Sequence, residues 1–128
     1  MSYLLDTQIL LWAAAGSDRL TSAARRLIGD PANTLVFSAA SLWEIAIKSG
    51  LGRDDVQVDA KRLRTGLRDN GYVELPVTGA HAAAVADLPP LHRDPFDRLL
   101  IAQARIEGLE LVTADRIVAQ YGGSIRLV

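Results

Sequence analysis

Tyr3-Leu4-Leu5-Asp6-Thr7-Gln8 decides the fold. Three apolar residues end abruptly in a carboxylate and a hydroxyl, and a helical pattern, Ile9-Leu10-Leu11-Trp12, begins at once. A short apolar run without alternation suits a strand buried on both faces, as in a parallel sheet covered by helices. Open α/β sheets place ligand-binding groups at the carboxyl ends of their strands. Asp6 therefore belongs at the mouth of a crevice, or serves only as the N-cap of the first helix, a role aspartate fills well. Whether other carboxylates arrive at the same place decides between these readings.

Working outward, Gln8–Ala15 reads as a helix stopped by Gly16, and Thr21 heads a second helix that runs to Gly29. Asp30-Pro31-Ala32-Asn33 is a turn, and β-branched, aromatic Thr34–Phe37 is the second strand. A long helix, Ala39–Ser49, closes at Gly50 and Gly52; Asp54–Val58 reads as a loop and Ala60–Asp69 as a basic surface helix. Tyr72–Leu75 is the third strand and Thr78–Val85 a short alanine-rich helix. The paired prolines of Leu88-Pro89-Pro90-Leu91-His92-Arg93-Asp94 force an extended loop. Pro95–Glu107 is a helix stopped at Gly108, Leu109–Val112 the fourth strand, Ala114–Gln120 a helix and Ser124–Val128 a last short strand. Strands alternating with helices over the whole length predict one three-layer α/β/α domain, residues 1–128, with a mostly parallel sheet.

Composition narrows the chemistry. The 128 residues are 49% hydrophobic and 23% charged, the balance of a soluble globular domain. The absence of cysteine excludes disulfides, thiol nucleophiles and cysteine zinc sites. With only His81 and His92, a bound metal would be a hard cation on oxygen ligands, Mg²⁺ or Mn²⁺. No signal peptide or membrane-length apolar stretch is visible, so the expected location is the cytoplasm. A net charge of −1 means that local arginines, not a global basic field, would hold a nucleic acid.

Four acids have comparable addresses. Asp6 ends strand one and Asp115 follows strand four, on the same edge of a parallel sheet. Glu44 is set among Leu42, Trp43, Ile45, Ala46 and Ile47; Asp97 precedes Leu99, Leu100, Ile101 and Ala102. Carboxylates in such surroundings are rarely buried unless paired or metal-bound. Each has a purely local alternative. Ser41-Leu42-Trp43-Glu44 fits a capping box, and Asp94-Pro95-Phe96-Asp97 fits an N-cap, an N1 proline and an acid on the helix dipole. Brought together, the four would repel and raise one another's pKa values, a penalty that a divalent cation removes. Two cations about 3.5–4 Å apart would activate water and stabilise the leaving oxygen in phosphodiester cleavage.

These stretches resemble the PIN-domain nucleases, and in particular the VapC-type toxins of bacterial toxin–antitoxin pairs. The resemblance rests on Leu4-Leu5-Asp6-Thr7, Ser41-Leu42-Trp43-Glu44-Ile45-Ala46-Ile47-Lys48, His92-Arg93-Asp94-Pro95-Phe96-Asp97-Arg98 with the following Leu99–Ala104, and Leu111-Val112-Thr113-Ala114-Asp115. It implies a five-stranded parallel sheet, an acidic quartet of Asp6, Glu44, Asp97 and Asp115, and Mg²⁺- or Mn²⁺-dependent endoribonuclease activity. It also implies a homodimer and a small inhibitory antitoxin, with the third stretch most like members paired with Phd/YefM-type antitoxins. Gln8 departs from the Asn, Ser or His more usual after the Asp-Thr pair.

Within that reading, Asp6, Asp97 and Asp115 hold the metal and Glu44 binds it directly or through water. Thr113 and Thr7 hydrogen-bond a carboxylate or the attacking water, and Asp94 caps the helix beside the site. Lys48, Arg93, Arg98 and Arg116 are candidates for RNA phosphates. His92 is a packing or hydrogen-bonding loop residue and His81 a surface residue. Trp12, Trp43 and Phe96 belong to the core or an oligomer contact, and Leu10, Leu11, Trp12, Leu42 and Ile45 form the exposed apolar face for a second subunit or antitoxin. The non-enzymatic alternative is a catalytically inactive PIN-like module that binds RNA or antitoxin. A dehalogenase-like phosphatase would need an acid where Gln8 stands, a dinucleotide-binding domain a glycine-rich turn after strand one, and a receiver domain a lysine after a late strand.

Overall fold

A computed structural model describes residues 1–51 and 58–128; most of the expected loop Asp54–Val58, and Gly52, lie outside the described residues. The elements run β1 (Ser2–Leu5), α1 (Thr7–Ala15), α2 (Ser22–Gly29), β2 (Thr34–Ser38), α3 (Ala39–Gly50), α4 (Ala60–Asp69), β3 (Val73–Leu75), α5 (Gly79–Ala84), a 3₁₀ turn (Val85–Asp87), α6 (Pro95–Glu107), β4 (Glu110–Thr113), α7 (Arg116–Ala119) and β5 (Ile125–Leu127). The strands form one sheet in the order β3-β2-β1-β4-β5, with every pairing parallel. All their carboxyl ends therefore share one edge, as expected from the sequence.

β1 lies at the centre, and its register explains its composition. Alternate side chains enter opposite layers. Tyr3 and Leu5 join a core with Ile9, Leu10, Leu27, Ile45 and Leu63, on the side of α1, α2, α3 and α4. Leu4 joins Leu100, Ile101, Ala104 and Val118, from α6 and α7. From Tyr3 to Leu5 no face of β1 meets water, so this stretch carries no polar alternation. Burying each such side chain stabilises the fold by roughly 1.5–3 kcal/mol. β2 leaves β1 on one side and β4 pairs on the other, with Leu5 opposite Val112. This reversal of direction opens a crevice beyond the ends of β1 and β4.

Several local expectations change. α3 starts at Ala39, as expected, but its cap is the Ser38 hydroxyl, which accepts the Ala40 N–H at 3.0 Å. Ser41 is thus inside the helix, and the Ser41–Glu44 capping box does not form. His81, expected at the surface, is 1% exposed. Its Nδ1 accepts the Thr78 N–H at 3.0 Å and its Nε2 lies 2.8 Å from Glu107. Trp43 is 61% exposed and meets Phe96 edge-to-face at 5.3 Å, so it is not a core residue. Conversely Leu10 and Ile45, expected on an exposed face, are fully buried, while Leu11, Trp12 and Leu42 are half-buried against the same core.

Candidate active site

The crevice is a cleft of about 330 Å³. Asp6, Glu44, Asp97 and Asp115 all line it, together with Thr7, Gln8, Lys48 and Asp94; Leu11, Trp12, Ile45 and Ala114 supply its apolar wall. Acids that lie as far as 109 positions apart in the chain (115 − 6) thus converge, and each arrives on a different element.

Asp6 follows β1 directly, and its backbone N–H still pairs with Val112 O at 3.0 Å. It is both N-cap and site carboxylate: one oxygen accepts the Ile9 N–H at 2.9 Å, the other a short hydrogen bond from the Thr113 hydroxyl. Burial pushes this carboxyl from an ordinary 3.8 up to about 6; the Thr113 and Ile9 hydrogen bonds pull it down, and the charges of Asp115 and Glu44 add to the rise. Thr113 ends β4 fully buried. Its oxygen also accepts the Asp115 N–H at 3.0 Å, so one hydroxyl ties two of the acids.

Asp115 caps α7, accepting the Ile117 N–H at 2.8 Å. Burial raises its carboxyl, but hydrogen bonds from His92 and from the Ile117 and Val118 amides outweigh that and hold it below the ordinary range. Asp97 sits in the first turn of α6. Burial, then the neighbouring charges of Asp94 and Asp6, lift it to about 7, against the pull of His92. Asp94 is the N-cap of α6, accepting the Phe96 and Asp97 N–H groups at 2.8 and 3.3 Å, as expected.

Glu44 is 4% exposed, midway along α3. One of its oxygens meets Lys48 Nζ, one helical turn on, at 2.5 Å. The other, Oε1, is buried without a hydrogen-bond partner among the described residues. An unpartnered buried carboxylate oxygen is costly. In a cleft shared with three more carboxylates, it is suited to a cation ligand. The donor set is dominated by oxygen, which matches a hard divalent ion.

The surrounding residues divide. Thr7 donates to the Ser41 hydroxyl at 2.9 Å rather than to a carboxylate; it braces α1 against α3. Arg98 is not aimed at a substrate phosphate. Its guanidinium holds the carbonyls of Pro89 and Val85 at 3.0 and 3.1 Å and the Tyr121 hydroxyl at 3.2 Å, pinning the proline loop to α6. Arg93 and Arg116 are exposed, with no ion pair among the described residues, and Lys48 lines the cleft itself. The residue that sequence reasoning undervalued is His92. Its Nε2 lies 3.1 Å from both Asp97 and Asp115. The available signal was its place five residues before Asp97, within the stretch that carries the family resemblance.

Comparison with known proteins now fixes the family. The profile of the PIN domain matches residues 3–123. The chain belongs to the PIN domain family. It is 32% identical over 117 residues to Ribonuclease VapC22 of Mycobacterium tuberculosis, covering 88% of this chain and 86% of that protein, and so falls among the VapC-type PIN domains. Solved structures share the fold. VapBC2 from Rickettsia felis, bound to a DNA fragment from its promoter, superposes with a TM-score of 0.68 at 18% identity, covering 100% of this chain and 98% of that one. VapC20 of Mycobacterium tuberculosis, a Sarcin-Ricin loop cleaving toxin, gives 0.68 at 15% identity over 94% and 95% of the two chains. A toxin–antitoxin complex from Klebsiella pneumoniae gives 0.65 at 18% identity over 97% and 95%. The PIN-type layering expected from β1 and the alternating helices is the observed one.

Proposed function

We propose that this VapC-type PIN domain is an endoribonuclease that hydrolyses RNA phosphodiester bonds with Mg²⁺ or Mn²⁺, and that it acts in the cytoplasm as the toxin of a toxin–antitoxin pair. The observation that carries the metal assignment is Glu44 Oε1, buried in the acidic cleft with no described donor. Asp6, Glu44, Asp97 and Asp115 would hold the ion. When bound, such an ion neutralises the carboxylates, lowers the pKa of a coordinated water and offsets charge on the phosphate undergoing attack.

The chain's own residues do the rest. Asp6 is fixed at both oxygens by Ile9 and Thr113, so it presents its remaining lone pairs in one orientation. Thr113 sets the position of Asp115 through the Asp115 amide. Lys48 at the cleft, with Arg93 and Arg116 on the exposed surface, offers cations to a polyanion that would otherwise be repelled by four acids. Leu11 and Trp12 give the cleft an apolar stretch of wall beside the acids.

A cognate antitoxin is supported by the neighbours described as toxin–antitoxin complexes, and we assign it to the Phd/YefM type. A homodimer accompanies this assignment. Cytoplasmic action is consistent with the described helices, none of which is long and apolar enough to cross a membrane.

The deciding experiment incubates the purified chain with a structured RNA pool in Mg²⁺ or Mn²⁺, then repeats it with EDTA and with Asp97→Asn. Cleavage that requires the ion and is abolished by the substitution is expected. RNA retained but uncut in either ion would overturn the nuclease reading in favour of a binding module.

A further inference from the structure

We propose that His92 is a positioning residue whose Nε2–H, hydrogen-bonded to Asp115 and placed against Asp97, sets the spacing of the two acids for the cation, without itself being a ligand. The inference rests on the metal-dependent reading above and adds a fifth residue to the site.

One backbone contact and three ring contacts hold His92. The backbone N–H of His92 donates to the Tyr121 hydroxyl at 2.9 Å. Ring Nδ1 takes the Asp94 N–H at 3.0 Å. Nε2 lies 3.1 Å from one oxygen of Asp97 and 3.1 Å from one oxygen of Asp115. A backbone amide only donates, so Nδ1 must accept. The ring proton then sits on Nε2 and faces the two carboxylates. An Nε2 that carries a proton has no lone pair for a metal. His92 therefore acts through the acids rather than beside them.

The acids depend on it. His92 Nε2 hydrogen-bonds one oxygen of Asp115, whose other oxygen accepts the Ile117 and Val118 amides, and the same nitrogen, 3.1 Å from Asp97, is the positive edge that carboxylate faces. The His92, Asp97 and Asp115 atoms all lie within 4.8 Å of one another, the span of a shared ion. Independently, the unpartnered Glu44 Oε1 marks the same cleft as a place that takes a ligand. Asp94 thus has two tasks: its side chain caps α6, and its amide selects the tautomer of His92. Partners that orient metal-binding side chains in this way matter to affinity by about 10- to 100-fold.

The test is Mn²⁺ calorimetry on the full chain at fixed pH, with wild type, His92→Ala, His92→Gln and His92→Asn. The Gln amide nitrogen reaches about as far as Nε2, whereas the Asn nitrogen reaches only as far as Nδ1. His92→Ala and His92→Asn are expected to weaken Mn²⁺ binding about 10- to 100-fold, with His92→Gln within about threefold of wild type. In RNA cleavage His92→Ala and His92→Asn should lower kcat and leave KM unchanged, with His92→Gln close to wild type. NMR of the wild-type imidazole should report the Nε2–H tautomer with and without a diamagnetic divalent ion, a readout that stands even if His92→Ala fails to fold.

Equal Mn²⁺ affinity in wild type and His92→Ala overturns the inference, as does His92→Gln behaving like His92→Ala, or a ¹⁴N coupling to Mn²⁺ that makes the ring a ligand. If wild type itself takes up no Mn²⁺, the metal-dependent reading fails and this inference with it. A loss confined to His92 variants leaves that reading standing.

Discussion

Replacing Asp6 by Asn should make the metal-free protein more stable at neutral pH while destroying its site. The Asp6 carboxyl is raised from 3.8 to about 6 in the folded chain. A carboxyl raised on folding contributes stability that is fully present below its unfolded value and lost as pH rises through about 6. That difference corresponds to about 3 kcal/mol against the folded state above neutrality. Asn keeps the N-cap to Ile9, a role it fills as well as Asp. Its amide nitrogen must then face the Thr113 hydroxyl, whose own proton loses its acceptor, at about 1 kcal/mol. The balance is a gain of about 2 kcal/mol near pH 8, or roughly 6–8 °C in Tm for a chain of this size, and a loss of about 0.5 kcal/mol near pH 4. Thermal or urea unfolding in EDTA across that range measures both. Added Mn²⁺ should raise the Tm of wild type and not of Asp6→Asn. An Asp6→Asn protein less stable than wild type near pH 8 would refute the claim that this carboxyl is held at a cost.

Other substitutions separate the roles of the neighbours. Thr113→Val removes a donor to Asp6 and an acceptor for the Asp115 amide; it should cost about 1–3 kcal/mol at neutral pH and steepen the loss of stability as pH rises, read by urea unfolding at several pH values. Arg98→Ala should cost about 2–3 kcal/mol and leave the salt dependence of RNA binding unchanged, whereas Arg93→Ala or Arg116→Ala should leave stability alone and reduce that slope by about one ion each. His81→Ala empties a buried site, takes the acceptor from the Thr78 N–H at the start of α5 and removes one of the hydrogen bonds of Gln103; a loss of about 2–4 kcal/mol in urea unfolding is expected, with cleavage per folded molecule preserved.

The expected acids converge because strand ends are easy to find and parallel pairing brings them to one edge. Tyr3–Leu5 and Leu109–Val112 lack polar alternation, and that alone announces a sheet covered on both faces. What the chain concealed was long-range partnership. Ser38 and Ser41 are both good caps, and only the true end of β2 assigns the role to Ser38 and leaves Glu44 free for the cleft. His81 looks solvated among alanines because its partners, Gln103 and Glu107, come from a helix more than twenty residues away. Arg98 beside Asp97 suggests substrate binding, yet its bonds run to carbonyls of the proline loop and to Tyr121. Trp43 follows the apolar periodicity of α3 but rests on Phe96 at the surface. In each case the side chain was visible and its partner was not.

The placing of β1 between β2 and β4 also bears on how the protein is made. Its hydrogen bonds on one side are supplied only by residues 110–113, and Asp115 comes later still. A growing chain on the ribosome therefore exposes a half-paired central strand and an incomplete set of acids until residues 110–115 have emerged. A messenger that encodes such a cutter is translated past the codon for Asp115 before the blade exists.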